Sequence, residues 1–170
     1  MTTTPDPNPT PHSALLQHFA DLRDGHHGRA HDRGGKEQVY TRAVGLLAPY
    51  ARQVLDEMNT ALLLDTGSIT DTGILPTAGG GSEARWLLSW PEQQHADLPP
   101  ITLSAYFGAG FHHPHLRGGT VGEWPLNLSS DDEAREQLAT LRAISAAEIH
   151  NLVFARDYRI VPTATSGKSR

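Results

Sequence analysis

From Gly35 to Met58 the apolar residues return every third or fourth position: Val39, Tyr40, Ala43, Val44, Leu47, Ala51, Val54, Leu55 and Met58. A 3.6-residue repeat sustained over that length specifies one long amphipathic helix with a continuous stripe to bury. Pro49 lies inside it, its ring directed at the carbonyl of Gly45, and predicts a kink or short break near residue 48. Beyond Met58 the period changes. Ala61–Leu64 and Ile69–Leu75 read as short strands joined by an Asp65-Thr66-Gly67-Ser68 turn. Ala84–Trp90 reads as a strand ended by Pro91, and Ile101–Phe107 as another behind Pro99-Pro100. Links this short leave no room for crossover helices, so the strands form an antiparallel meander.

Helices flank the meander. Pro11–Asp24 suits a helix capped by Thr10 and stopped by Gly25. Leu15, Leu16, Phe19 and Leu22 make its apolar stripe, with His12 and His18 on the polar side. Ser130-Asp131-Asp132-Glu133 is a capping box opening a C-terminal helix whose apolar face carries Ala134, Leu138, Leu141, Ile144, Ile149 and Leu152. That helix is expected to end near Val153, and Asp157 to turn the chain into a closing strand, Tyr158–Val161. The expectation is an α+β fold: two N-terminal helices, an antiparallel β-meander, a long C-terminal helix and a closing strand. A single domain over residues 12–162 lies between disordered tails, 1–11 and 163–170. The first tail holds four prolines among polar residues, and the second has no apolar residue larger than alanine.

Composition narrows the chemistry. At 170 residues the chain is long enough for a substantial core, and with no cysteine it has neither disulfide, thiolate ligand nor cysteine nucleophile. A net charge of -5, with the basic residues scattered, argues against nucleic acid as partner. No apolar run reaches membrane-spanning length, and Met1–Thr10 has neither the basic nor the apolar part of a signal peptide, which predicts a cytoplasmic chain. Gly167-Lys168-Ser169 imitates the end of a phosphate loop but has no glycine five positions earlier, so no nucleotide cofactor is indicated. There is no Gly-x-Ser-x-Gly elbow.

Ten histidines are about 6% of the chain. Three fall in Phe111-His112-His113-Pro114-His115-Leu116, between glycines. In an extended segment His113 and His115 share one face and His112 takes the other. An H-x-H pair places two imidazoles on one ion, with a carboxylate commonly completing the set, and Glu123 is the nearest candidate. The expected metal ligands are therefore His113, His115 and Glu123, holding a divalent ion such as Zn, Fe or Mn. The same three histidines, His113, His115 and His112, are the candidate acid/base groups without a metal. His150, near the end of the last helix, is a further geometric option. As plain structure, the segment is a polar turn whose imidazoles bond backbone groups. Tyr106, Phe107, Phe111 and Trp124 wall a pocket or simply belong to the core. His26, His27 and His31 fall in a polar loop and read as solvated, as does His95. The expected function is a small enzyme acting on a small molecule through this loop, with or without a metal; a homo-oligomer is compatible with it.

The helix, the meander, Pro99-Pro100 before a strand, and His113-Pro114-His115 followed by glycines are similar to ubiquitin-conjugating-like and RWD-like domains. The overlap covers residues 84 to 128. His115 stands where those domains carry asparagine, the gap between prolines and histidine is longer, and no cysteine can carry a thioester. The resemblance implies a non-catalytic interaction or adaptor module with a protein partner. The H-x-H pair is also similar to the cupin motif, but Gly119 and Thr120 stand where a cupin needs glutamate, and its second histidine motif is absent.

Overall fold

The computed structural model describes residues 11–27, 30–110 and 113–166. Two helices, α1 (Pro11–Asp24) and α2 (Arg33–Leu63), precede a five-stranded sheet. Its strands are β1 (Ser68–Pro76), β2 (Ser82–Ser89), β3 (Ile101–Phe107), β4 (His115–Gly118) and β5 (Trp124–Pro125). They pair antiparallel in sequence order, as a meander should. Short α3 (Pro91–His95) lies between β2 and β3; α4 (Asp131–Glu136), α5 (Leu138–Ala155) and α6 (Pro162–Thr165) follow. The architecture is α+β.

Strand alternation sorts the sheet into two faces. Ala84, Trp86 and Leu88 of β2, Ile101, Leu103, Ala105 and Phe107 of β3, and Leu116 of β4 are buried in one core. They pack beneath α2 and α5, which also contact each other. Between them come Glu83, Arg85, Thr102, Ser104, Tyr106, His115 and Arg117 on the opposite, polar face. The register fixes this division: Trp86 lies opposite Leu103, and Ala105 opposite Leu116.

The long repeat forms one helix that continues through Pro49. It also runs further than expected. Ala61–Leu63 are its last turn rather than a strand, because Leu63 prolongs the buried stripe into the core. Asn59 builds the exit. Its carbonyl accepts from Leu64 and Asp65, and its side-chain oxygen accepts from the N–H of Gly67 at 2.8 Å. Leu64 and Asp65 take positive φ of 53° and 57° to make that turn. A Cβ on Gly67 would lie 2.6 Å from Asn59 Oδ1 and 2.7 Å from a Leu88 methyl. Gly67→Ala is therefore expected to cost about 1–3 kcal/mol, measured by chemical denaturation; an unchanged midpoint would contradict this exit geometry.

The C-terminal region departs from expectation twice. One helix becomes two, α4 and α5, broken at Gln137. The Ser130 hydroxyl caps the N–H of Glu133 as predicted, while the Glu133 carboxylate accepts from Ser129 rather than from Ser130. Tyr158–Ile160 form a 3-10 turn, not a closing strand. The Asp157 side chain accepts from the N–H of Arg159 at 2.8 Å, and Pro162 starts α6, so both flanks favour turns. Ile160 still joins the core, and its carbonyl accepts the indole N–H of Trp90 at 2.6 Å. Trp90 is buried, at the mouth of α3 rather than in the expected strand. The expected tails lie mostly outside the described residues; within them, Pro11 starts α1 and residues 163–165 are helical.

The loop between β4 and β5 is held from behind by Glu148 of α5. This buried carboxylate accepts from the N–H of Thr120 (2.6 Å), the hydroxyl of Thr120 (2.7 Å) and the N–H of Val121 (3.0 Å). Gly118 and Gly119 are glycine because a Cβ on either would press on that carboxylate.

Candidate functional site

Helix α1 meets the domain with the face opposite to the expected one. His18 and Asp21 are 7% and 6% exposed, whereas Leu16, Phe19 and Leu22 are 69%, 56% and 45% exposed. The buried pair lies three residues apart, on one side of the helix. Asp21 accepts from Gln17 (2.8 Å) and from Asn127 (3.3 Å). His18 meets the segment leading into β4, its ring centre 5.1 Å from that of His113 and 5.9 Å from that of His115.

His27 enters from the loop between α1 and α2. Paired backbone hydrogen bonds with Ala30, both 3.0 Å, turn that loop back on itself. Its ring, buried rather than solvated, sits 5.4 Å from His113. Four imidazoles from three segments thus converge: His18, His27, His113 and His115. Lys36, buried in the first turns of α2, adds a neighbouring positive charge.

The environment favours the neutral form of three of these rings, His18, His27 and His113. Burial, reinforced by His27, His18 and Lys36, pulls His113 down to about 3. Burial pulls His27 down to about 4, with Asp21 opposing and Lys36 assisting. His18 is lowered as well, by burial and by His115, against the pull of Asp21. Among the described residues, neither ring nitrogen of His113 nor Nε2 of His27 has a hydrogen-bond partner. Buried nitrogens left so cost about 1–3 kcal/mol each. Neutral imidazole with an open lone pair is also the form that ligates metals and accepts protons.

For the metal-free protein this fixes a pH dependence. Both values lie below the ordinary 6.5 of an unfolded chain, so on acidification the unfolded state takes up protons first. Stability is expected to be level above about pH 6.5. It then falls by about 1.4 kcal/mol per pH unit for each such imidazole, down to about pH 4 for His27 and about 3 for His113. Urea midpoints across that range check it; a midpoint constant from neutrality to pH 5 would refute it.

Of the residues expected from sequence, His113 and His115 each have their ring beside His18, at 5.1 and 5.9 Å. His112 lies outside the described residues, as does Phe111. Glu123 does not join the imidazoles: it is exposed and accepts a hydrogen bond from the Tyr106 hydroxyl. Burial and that carboxylate push Tyr106 up to about 12. His150 is exposed on α5, stacked on Phe154, and His26 and His31 pack on each other at 4.1 Å. His18 and His27 are the members the sequence did not disclose. Among the described residues no three His, Asp or Glu side chains surround a common point as they stand, and no helix is long and apolar enough to cross a membrane. No family model, no curated protein and no solved structure matches this chain.

Proposed function

We propose that the chain binds a divalent transition-metal ion among His18, His27, His113 and His115 and acts through it on a small molecule. One observation carries this reading: the buried rings of His27 and His113, from separate segments, meet at 5.4 Å with nitrogens that nothing among the described residues satisfies. Two imidazoles on one tetrahedral ion, bound at about 2.0–2.1 Å, have ring centres about 5 Å apart. The spacings of 5.1, 5.4 and 5.9 Å are of that size. Loading requires side-chain rotation. With Glu123 engaged elsewhere the donors are chiefly imidazole, which favours Zn or Fe over Mn. A bound ion would supply Lewis acidity, polarising a carbonyl or ionising a water near neutral pH. The chain's own groups favour neutral His18, His27 and His113, exclude solvent from His113 and place Asp21 beside His18 and His27.

Tag-free protein, stripped and dialysed against Zn²⁺, is expected to retain one ion per chain. A His113→Ala/His115→Ala variant is expected to retain none. Equal zinc in both, or none in either, would defeat the reading.

The exposed stripe of Leu16, Phe19 and Leu22 favours a second reading, a non-catalytic interaction module. The order of elements agrees with it, since β3 follows Pro99-Pro100 directly and β4 follows His113-Pro114. This module would bind no metal and would self-associate with concentration, and Phe19→Ser would abolish that association.

A further inference from the structure

The sheet's polar face and the C-terminal helices frame two grooves on either side of the β4–β5 loop. One, of about 590 Å³, is walled by Arg85, Ser104 and Arg117 and extends along Gly118–Glu123. The other, also about 590 Å³, runs between Trp124 and the Ala139, Ala143 and Ile144 side of α5. They share Val121, Gly122 and Glu123, so this short stretch is the saddle between them. The saddle is low, since a Cβ placed on Gly122 would meet nothing within 4 Å.

The polar groove has a defined charge pattern. Buried Glu83 accepts from Arg85 (2.5 Å), Ser104 (2.5 Å) and Arg117 (3.1 Å). Burial alone would raise its carboxyl; these three donors outweigh it and hold it at about 2. Glu83 therefore stays ionised and draws two half-exposed guanidiniums side by side. A guanidinium has five N–H donors, so both keep donors beyond those given to Glu83. Arg117 also lies over the Tyr106 ring, 4.0 Å from its centre, and the Tyr106 hydroxyl donates to Glu123 at the saddle. The first groove presents paired guanidiniums, the shared stretch a carboxylate, and the second groove an apolar trough.

We propose that these grooves form a binding site for a small amphipathic zwitterion, an α-amino acid with an apolar side chain. Its carboxylate pairs with Arg85 and Arg117, its ammonium with Glu123, and its side chain crosses Gly122 to lie against Trp124, Ala143 and Ile144. A simple anion uses only the remaining guanidinium donors, and a simple cation only the remaining acceptor capacity of Glu123. A ligand of both charges answers both, and the trough takes the apolar part. No imidazole lines either groove, although Tyr106 packs on His115 at 5.8 Å, and the proposal does not depend on a metal there.

The test uses L-leucine as probe, with N-acetyl-leucine, leucinamide and octanoate as controls, read by calorimetry and by the indole N–H resonance of Trp124. Trp124 is the partly exposed tryptophan; Trp86 and Trp90 are buried. Leucine is expected to bind at one site per chain and shift the Trp124 resonance. Each control, lacking one charge, is expected to bind at least about tenfold more weakly. Gly122→Trp, which fills the saddle without entering the core, should abolish binding and leave the melting temperature unchanged. Arg117→Met should weaken leucine while sparing leucinamide. No leucine binding at millimolar concentration, controls as tight as leucine, or Gly122→Trp binding normally would each overturn the proposal.

Discussion

Glu148→Ala is expected to lower the unfolding free energy by about 3 kcal/mol, the largest loss among single side-chain truncations outside the apolar core. The carboxylate is 2% exposed and accepts three hydrogen bonds from the β4–β5 loop. Truncation leaves the Thr120 and Val121 N–H groups without their acceptor and opens a hole beneath Gly118 and Gly119. The glycines cannot close it, because they were the space the carboxylate needed. Glu148→Gln keeps the side-chain carbonyl and should recover about half of the loss, since a neutral acceptor bonds more weakly than a charged one. Equilibrium denaturation with both variants measures this; Glu148→Ala as stable as the parent would mean that the loop is held by other contacts.

His113→Phe is expected to act in the opposite direction on stability. The imidazole is 1% exposed with both nitrogens unpartnered among the described residues, so it is buried polarity without return in the metal-free chain. A phenyl ring fits a similar space and removes that penalty, raising stability by about 1 kcal/mol and the melting temperature by roughly 2–4 °C. On the proposed reading the same change also removes a metal ligand. Zinc affinity should fall by more than the roughly 10–100-fold that loss of an outer-shell partner costs. A gain in stability joined to loss of metal is the mark of a residue kept for function at structural expense. A variant that is several kcal/mol less stable would show instead that the imidazole is satisfied and structural.

The parts of the fold that the sequence disclosed are those where burial acts through a regular period. The stripe from Val39 to Met58 needed one long helix, and the β2 and β3 strands alternate or run apolar as sheet residues do. Four residues, Ala61–Leu64, were too few for periodicity to separate helix from strand, and the outcome rested on the side chain of Asn59. Ile160 and Val161 carry strand propensity, but Asp157 and Pro162 fix turns on both sides of them. The site was half legible for a different reason. H-x-H spacing singled out His113 and His115, and both rings lie beside His18. His18 was rightly placed on the polar side of α1, but amphipathicity separates two faces without stating which one meets the domain. In this chain the polar side, His18 and Asp21, packs inward and the apolar side stays open. His27 is buried by a backbone pairing with Ala30 that no residue pattern near it announces.

The convergence of imidazoles from α1, the following loop and the start of β4 is tested most directly with Co²⁺, whose visible absorption reports coordination geometry. Tag-free, metal-free protein titrated near neutral pH should develop the intense bands of a four-coordinate site and saturate at one ion per chain. Those bands should be lost in His18→Ala and His27→Ala as fully as in His113→Ala, and kept in His31→Ala. Weak bands of solvated cobalt at every ratio, or a spectrum indifferent to His18→Ala and His27→Ala, would contradict the account.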